Sequence, residues 1–247
     1  MTAIVESVSR WVDASLSFVY PEICQVCRER RATPAESYVC AECRALVQAI
    51  TPPYCERCGL PFEGAISQNF ECANCRGIEW HFTQARSAVI ARGAMLEIIH
   101  QYKYRRALWF EPFLAELLIR QAGPELLPGR WDLVVPVPLH PARQREREFN
   151  QAERLARRLS LATRIPLNPR LLCRIRPTQT QTRLSRDARR RNVRHAFAFR
   201  GRRLLDRARV VLVDDVFTTG STTDACARVL LESGAAEVSV WTLARGV

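Results

Sequence analysis

Lysine is all but missing from this 247-residue chain: of its 37 basic side chains, only Lys103 is not arginine. A nucleotide-binding P-loop needs GxxxxGK[ST], and a receiver-type phosphoacceptor aspartate needs a lysine downstream of it. The lone lysine lies in HQYKYRR, with no glycine loop before it and upstream of Asp214 and Asp215, so neither site is expected. Long apolar runs are also missing. A membrane helix needs roughly 18 such residues or more, whereas strongly apolar stretches such as Leu133 to Val137 and Val210 to Val213 are strand-sized. The opening MTAIVESVSRWVDASLSF carries Glu6, Arg10 and Asp13 and has no apolar h-region. A signal peptide and membrane insertion are therefore not expected, and the chain reads as cytoplasmic. With 47% hydrophobic and 25% charged residues, global disorder is excluded. The length suffices for one sizeable core and a small appended module.

The formal net charge of +12 is unevenly placed. Residues 1–80 hold 7 arginines against 10 acids, and residues 210–247 hold 2 against 5. Residues 141–209 hold 21 arginines against 5 acids, so one stretch carries more than the whole excess. Guanidinium groups suit phosphate and carboxylate oxygens.

Eight of the ten cysteines form four Cys-x-x-Cys pairs: Cys24/Cys27, Cys40/Cys43, Cys55/Cys58 and Cys72/Cys75. Each pair offers two sulfurs from one knuckle turn, and a tetrahedral zinc ion takes four. A disulfide framework fits poorly without an export signal, and a thioredoxin-like redox motif does not account for four pairs in series. Two structural Zn2+ sites are expected, with sequential or cross-braced pairing left open. Four thiolates per ion leave no position for a catalytic water, and they give each site about −2 of charge. That argues against the ribbons as the main contact for nucleic acid and for a supporting or protein-contact role. Removing the metal is expected to unfold residues 20–80. Cys173 and Cys226, in RLLCRI and DACARVL, read as buried core thiols.

After Trp80 strands and helices alternate. Strands are expected at 87–91, 132–137, 171–174, 209–213 and 238–243, and helices at 94–104, 110–121, 151–161 and 221–231. This order with continuous apolar strands implies a parallel sheet covered on both faces. The segment VVLVDDVFTTGSTT, residues 210–223, joins a buried strand, two carboxylates, a small hydroxyl-rich loop and a helix start. Backbone N–H groups, hydroxyls and a helix N-terminus around one point make a site for a monophosphate. The carboxylates beside it are placed for ribose hydroxyls or Mg2+.

That segment resembles the signature of the type I phosphoribosyltransferases. The cysteine pairs with YCERCGLPF, the KYRRAL stretch, VVPVPLHPARQREREFNQAERLA, TQTQTRLSRDARRRNVRHAFAF and VVLVDDVFTTGSTT together resemble the ComF/GntX competence family over nearly the whole chain. The resemblance implies an α/β fold: a type I phosphoribosyltransferase-like, Rossmann-like parallel sheet over residues 81–247, a double zinc ribbon over 21–80, and an N-terminal segment over 1–20. It implies phosphoribosyl diphosphate as ligand, with Mg2+. Asp214 and Asp215 would hold the ribose hydroxyls and the metal, and Thr218, Thr219, Gly220, Ser221 and Thr222 the 5-phosphate. Arg147 would lie near the diphosphate. Thr178, Gln181, Arg186, Arg190 and Asn192 match the family's polar run at the place of a flexible catalytic loop, Arg186 among the catalytic candidates. The chain departs from the family at Glu148, where glycine is expected. A carboxylate there repels diphosphate, and the lost glycine restricts a tight backbone approach. His140 and His195 read as structural or surface residues.

Two functions are weighed. One is a phosphoribosyltransferase with an unidentified acceptor, whose base-reading hood is expected within residues 81–130. The other is a catalytically silent competence factor that binds single-stranded DNA through its 141–209 face, with Arg186, Arg190 and Arg191 as contacts. Only Phe149, Phe197 and Phe199 offer stacking surfaces in that stretch. The resemblance also implies a role in DNA uptake beside a ComFA-like helicase and DprA. A zinc-ribbon transcription regulator fits least, because the ribbon is acidic.

Overall fold

Apolar residues on successive positions of a strand must be covered from both sides. The computed structural model, which describes residues 22–62, 64, 70–127, 129–176, 193, 195–201 and 203–246, shows how this is done. Strands β1 (Gln84–Ile90), β2 (Leu133–Pro136), β5 (Arg209–Phe217) and β6 (Glu237–Arg245) form one parallel sheet in the order β1-β6-β5-β2. Strands β3 (Leu172–Arg174) and β4 (Phe197–Phe199) form a separate antiparallel ribbon. The α-helices described are α1 (Ala41–Ala45), α2 (Gly93–Tyr104), α3 (Glu111–Ala122), α4 (Pro141–Arg147), α5 (Gln151–Thr163) and α6 (Ser221–Glu232).

Side chains alternate across a strand, and β5 divides accordingly. Val211 and Val213 join a core containing Ile98 of α2, Leu114 of α3 and Leu155 of α5. Val210 and Leu212 join the opposite core with Cys226 and Leu230 of α6. Cys24, Cys40 and Cys43 belong to the first core, and Cys55, Cys58, Cys72 and Cys75 to the second. The cysteine-rich region thus straddles the sheet, with one cluster on each face. The segment between the clusters crosses the β1 edge, where Ile50 N–H donates to Ala88 O at 3.0 Å and Ile90 N–H to Gln48 O at 2.9 Å. An unpaired strand edge is an aggregation liability, and here that link covers it.

Several expectations change. β5 continues through Asp214 and Asp215 to Phe217 because β6 pairs with it along that length, Asp214 opposite Thr242 and Val216 opposite Ala244. α4 appears where no helix was expected. Its start is fixed by Pro141 and by His140, whose ring accepts from Ala142 N–H at 3.3 Å. The segment expected as a hood supplies β1 to the sheet edge and the packing helices α2 and α3, and it meets the candidate site through Lys103, His81 and Phe82. Cys226 is fully buried as expected, but Cys173 is half-buried at the ribbon, 3.6 Å from Ala198 O.

Candidate functional site

The sulfurs of Cys24, Cys27, Cys40 and Cys43 all lie within 4.8 Å of one another, and so do those of Cys55, Cys58, Cys72 and Cys75. This is the sequential pairing. Tetrahedral Zn–S bonds of 2.3 Å place sulfurs roughly 3.8 Å apart; Cys27 and Cys40 are 3.9 Å apart, and Cys58 and Cys72 3.6 Å. All are free thiols, and main-chain N–H groups of Cys40 and Cys72 point at Cys24 and Cys55 sulfurs at 3.4 and 3.3 Å. The donor sets fit two structural Zn2+ ions. Gly59, just after the third knuckle, has φ +63°, and a Cβ there would stand 2.7 Å from Ala85 O of β1. Only glycine allows both the turn and this approach.

At the carboxyl end of β5 the chain leaves the sheet as Asp214, Asp215, Val216 and Phe217, bends through Thr218 and Thr219, and enters α6 at Gly220 with φ +76°. The first turn of a helix points its leading N–H groups out of its N-terminal end, and the first turn of α6 starts at Ser221. Asp224 N–H and Thr223 Oγ1 both donate to Gly220 O, at 2.8 and 3.0 Å, while the Thr219 and Ser221 hydroxyls lie 3.0 Å apart. Thr218 is exposed, Thr219 and Thr222 half-buried, and Gly220 and Ser221 buried. The turn therefore gathers hydroxyls and amide donors at a helix N-terminus.

The acidic pair lies beside it. Asp215 N–H donates to Asp214 Oδ1 at 2.9 Å. Burial, with the neighbouring Asp215 charge as the second cause, pushes the Asp214 carboxyl from 3.8 up to about 7. Lys103, at the end of α2, meets Asp215 with Nζ 2.8 Å from Oδ2, both side chains largely buried. Chain order hid this contact. A lysine need not follow an aspartate in sequence to face it across a sheet, and the only available signal was that Lys103 breaks an otherwise all-arginine usage.

Arg147 sits with its guanidinium 4.7 Å from the Tyr104 ring centre and donates to Gln151 Oε1 at 3.2 Å. Glu148 occupies the left-handed region, φ 67°, at the end of α4, which is the conformation that favours glycine. Its side chain is exposed and turned to Arg106, 2.8 Å away. Arg174 of β3 is half-buried near Asp214; desolvation lowers its pKa, and the charges of Cys226 and Asp214 oppose that. Thr178, Gln181, Arg186, Arg190, Arg191 and Asn192 lie outside the described residues. His140 caps α4 and His195 is exposed with φ 63°, both as expected. His81 bonds Asp224 through its N–H at 2.8 Å and its ring at 3.1 Å, tying the end of the cysteine-rich region to α6.

A parallel Rossmann-like sheet with acids and a hydroxyl-rich turn at one strand end, joined to two four-cysteine clusters, is a type I phosphoribosyltransferase-like α/β fold carrying an N-terminal double zinc ribbon. The family described as a double zinc ribbon domain matches residues 15–76. Competence protein F of Haemophilus influenzae is 32% identical over 219 residues, 85% of this chain and 92% of that protein. DNA utilization protein YhgH of Salmonella typhimurium is 33% identical, covering 91% of this chain and 97% of its own. Competence protein ComFC of Bacillus subtilis is 30% identical over 84% of each. The chain belongs to this competence protein F family. Among solved structures, a purine phosphoribosyltransferase from Pyrococcus horikoshii is 17% identical over 56% of this chain and 83% of that one, with a TM-score of 0.36. No helix among the described residues is long and apolar enough to cross a membrane.

Proposed function

We propose that this protein binds phosphoribosyl diphosphate with Mg2+, transfers the phosphoribosyl group to a nitrogenous acceptor, and serves DNA uptake or the use of imported DNA. The observation that carries the reading is the meeting of Asp214, Asp215 and Lys103 with the Thr218–Thr222 turn at the end of β5. The names of the relatives, competence protein and DNA utilization protein, support the cellular role.

The donor set fits a hard divalent cation. Two adjacent carboxylates offer oxygen ligands, and burial first, with the Asp215 charge second, raises the Asp214 pKa, a cost that a bound cation would relieve. Asp214 and Asp215 would hold Mg2+, which supplies charge neutralisation for the diphosphate when bound. The turn fixes the 5-phosphate through amide and hydroxyl donors, and the carboxylates orient the ribose hydroxyls. Transfer breaks the C1–O bond with its electron pair leaving on diphosphate. The acceptor nitrogen supplies the new bond's pair and then loses its proton. Arg147 and Lys103 stabilise the departing charge.

The test is ligand-dependent stabilisation. Phosphoribosyl diphosphate with Mg2+ raises the melting temperature of the wild type, and Asp215→Asn abolishes both this shift and diphosphate release on addition of an acceptor base. No shift in the wild type would end the reading.

The arginine surplus of 141–209 favours the second reading, silent binding of single-stranded DNA. Within that stretch, however, Arg154 and Arg158 pair with buried Glu111 and Arg209 with Asp132, both acids from outside the stretch. Part of the excess is thus spent inside the fold. DNA affinity that falls steeply with salt, unchanged by Asp215→Asn, would favour this second reading.

A further inference from the structure

Arg245 is the last residue of β6 and is 3% exposed. A guanidinium out of water needs partners for its donors; here both terminal nitrogens have them, while Nε has none. Its Nη1 lies 2.7 Å from Thr218 O, 2.7 Å from Gly246 O and 3.0 Å from Phe217 O. Its other terminal nitrogen, Nη2, points at Cys58 Sγ, 3.8 Å away. The group also stands 4.8 Å from the centre of the Phe217 ring. One buried cation therefore touches the second cysteine cluster on one side and, on the other, the main chain of the turn read above as the phosphate cradle.

The chemistry at both ends suits a cation. Four thiolates around Zn2+ carry a net charge of about −2, and an N–H donor to a thiolate sulfur is charge-assisted. Carbonyl oxygens of two successive residues, Phe217 and Thr218, are drawn to a single nitrogen, which sets the direction in which the next residues leave the strand. Gly246 N–H adds a second bond to Phe217 O at 2.8 Å. A cavity of about 120 Å³, lined among others by Cys58, Cys75, Trp80 and Thr219, lies between the cluster and the turn, and Trp80, Phe82 and Phe217 pack beside it in the same core.

We infer that Arg245 is a positioning residue: anchored on the Cys58 sulfur of the second cysteine cluster, it clamps the Phe217 and Thr218 carbonyls and so holds the Thr218–Thr222 turn in its anion-receiving shape. The second ribbon is then part of the ligand site's framework. The first cluster, on the opposite face of the sheet, has no such contact with the turn among the described residues. The ligand side of this inference rests on the proposed function, whereas the clamp itself does not.

Hydrogen exchange of the 217–223 amides in the zinc-loaded full chain reads the clamp without any ligand. In Arg245→Ala those amides exchange at least about tenfold faster, while amides of β2 and of β5 before Val213 keep their protection. Guanidinium ion, added well below denaturing concentration, enters the vacated space and restores the slow exchange; urea, of similar shape and no charge, does not. If Arg245→Ala fails to fold, Arg245→Lys is measured instead. It keeps one donor centre for the carbonyls but loses the bond to Cys58, and the same amides quicken by a smaller factor. Unchanged exchange in the folded variant, or equal rescue by urea, overturns the clamp. Faster exchange in the variant beside a wild type that is not stabilised by phosphoribosyl diphosphate with Mg2+ sustains the clamp and removes the ligand reading.

Discussion

Glu148 sits at φ 67°, where a side chain costs roughly 1 kcal/mol relative to glycine. The exposed pair with Arg106 returns little of that, since surface ion pairs contribute about 0–1 kcal/mol. Glu148→Gly should therefore change stability by no more than about 0.5 kcal/mol in urea melts, because the added freedom of the unfolded chain offsets most of the relief. It should also tighten phosphoribosyl diphosphate binding by removing a carboxylate and freeing Arg106; weaker binding would show that Glu148 is no obstacle. Asp214 gives a second test. Its pKa is raised in the folded state to about 7 by burial and by Asp215. Between pH 4 and 7 the folded chain thus holds a proton that the unfolded chain has released, and stability falls as pH rises through that window. Asp214→Asn removes the effect. Without ligand or Mg2+, the variant should be more stable than wild type at pH 8 by about 1–3 kcal/mol, solvent screening included, and nearly equal to it at pH 4. A difference independent of pH would refute the assignment of the shift to Asp214.

Among the elements, the β5–turn–α6 unit depends most on one residue. Gly220 has φ +76°, and a Cβ there would stand 2.6 Å from Phe217 Cζ and 2.9 Å from Trp80 Cζ3, both on buried rings. Gly220→Ala should cost about 1–3 kcal/mol and abolish ligand-induced stabilisation, as thermal melts with and without phosphoribosyl diphosphate would show. Much of this unit was legible in the sequence, because an apolar run, two acids and a TTGST turn follow each other without interruption. The length of β5 was not. Aspartates are poor strand formers, and only pairing with β6 carries the strand past them. α4 was hidden because PARQRER has no apolar face to give a period, and its start is fixed by His140 and Pro141. Lys103 was hidden for a different reason: its contact with Asp215 joins residues far apart in the chain, and no local pattern encodes that. The positive φ of Glu148 was foreshadowed, since glycine was the residue expected at that position.

For the whole molecule, the placement of the two cysteine clusters changes what metal loss should do. Eight thiolates at regular spacing already implied two ions and a module that unfolds without them. In the fold the module is not appended to one side. Each cluster lies in a different core, one with Leu114 and Leu155 and the other with Leu212 and Leu230, and the segment between them closes the β1 edge. His81 with Asp224, Arg86 with Glu56, and Arg245 with Cys58 add polar ties across the same boundary. Structural zinc contributes about 10–16 kcal/mol per site in small ribbons, as much as the whole net stability of a typical domain. A molecule whose two cores both end on thiolate clusters cannot lose those ions and keep its sheet faces covered. Calorimetry of the zinc-loaded chain should therefore show one transition. Stripping the metal with a strong chelator should lower protection at β1 and β5 together with that of the cysteine turns. A stripped protein that keeps β5 amides protected while residues 22–76 exchange freely would mean that the two parts fold independently.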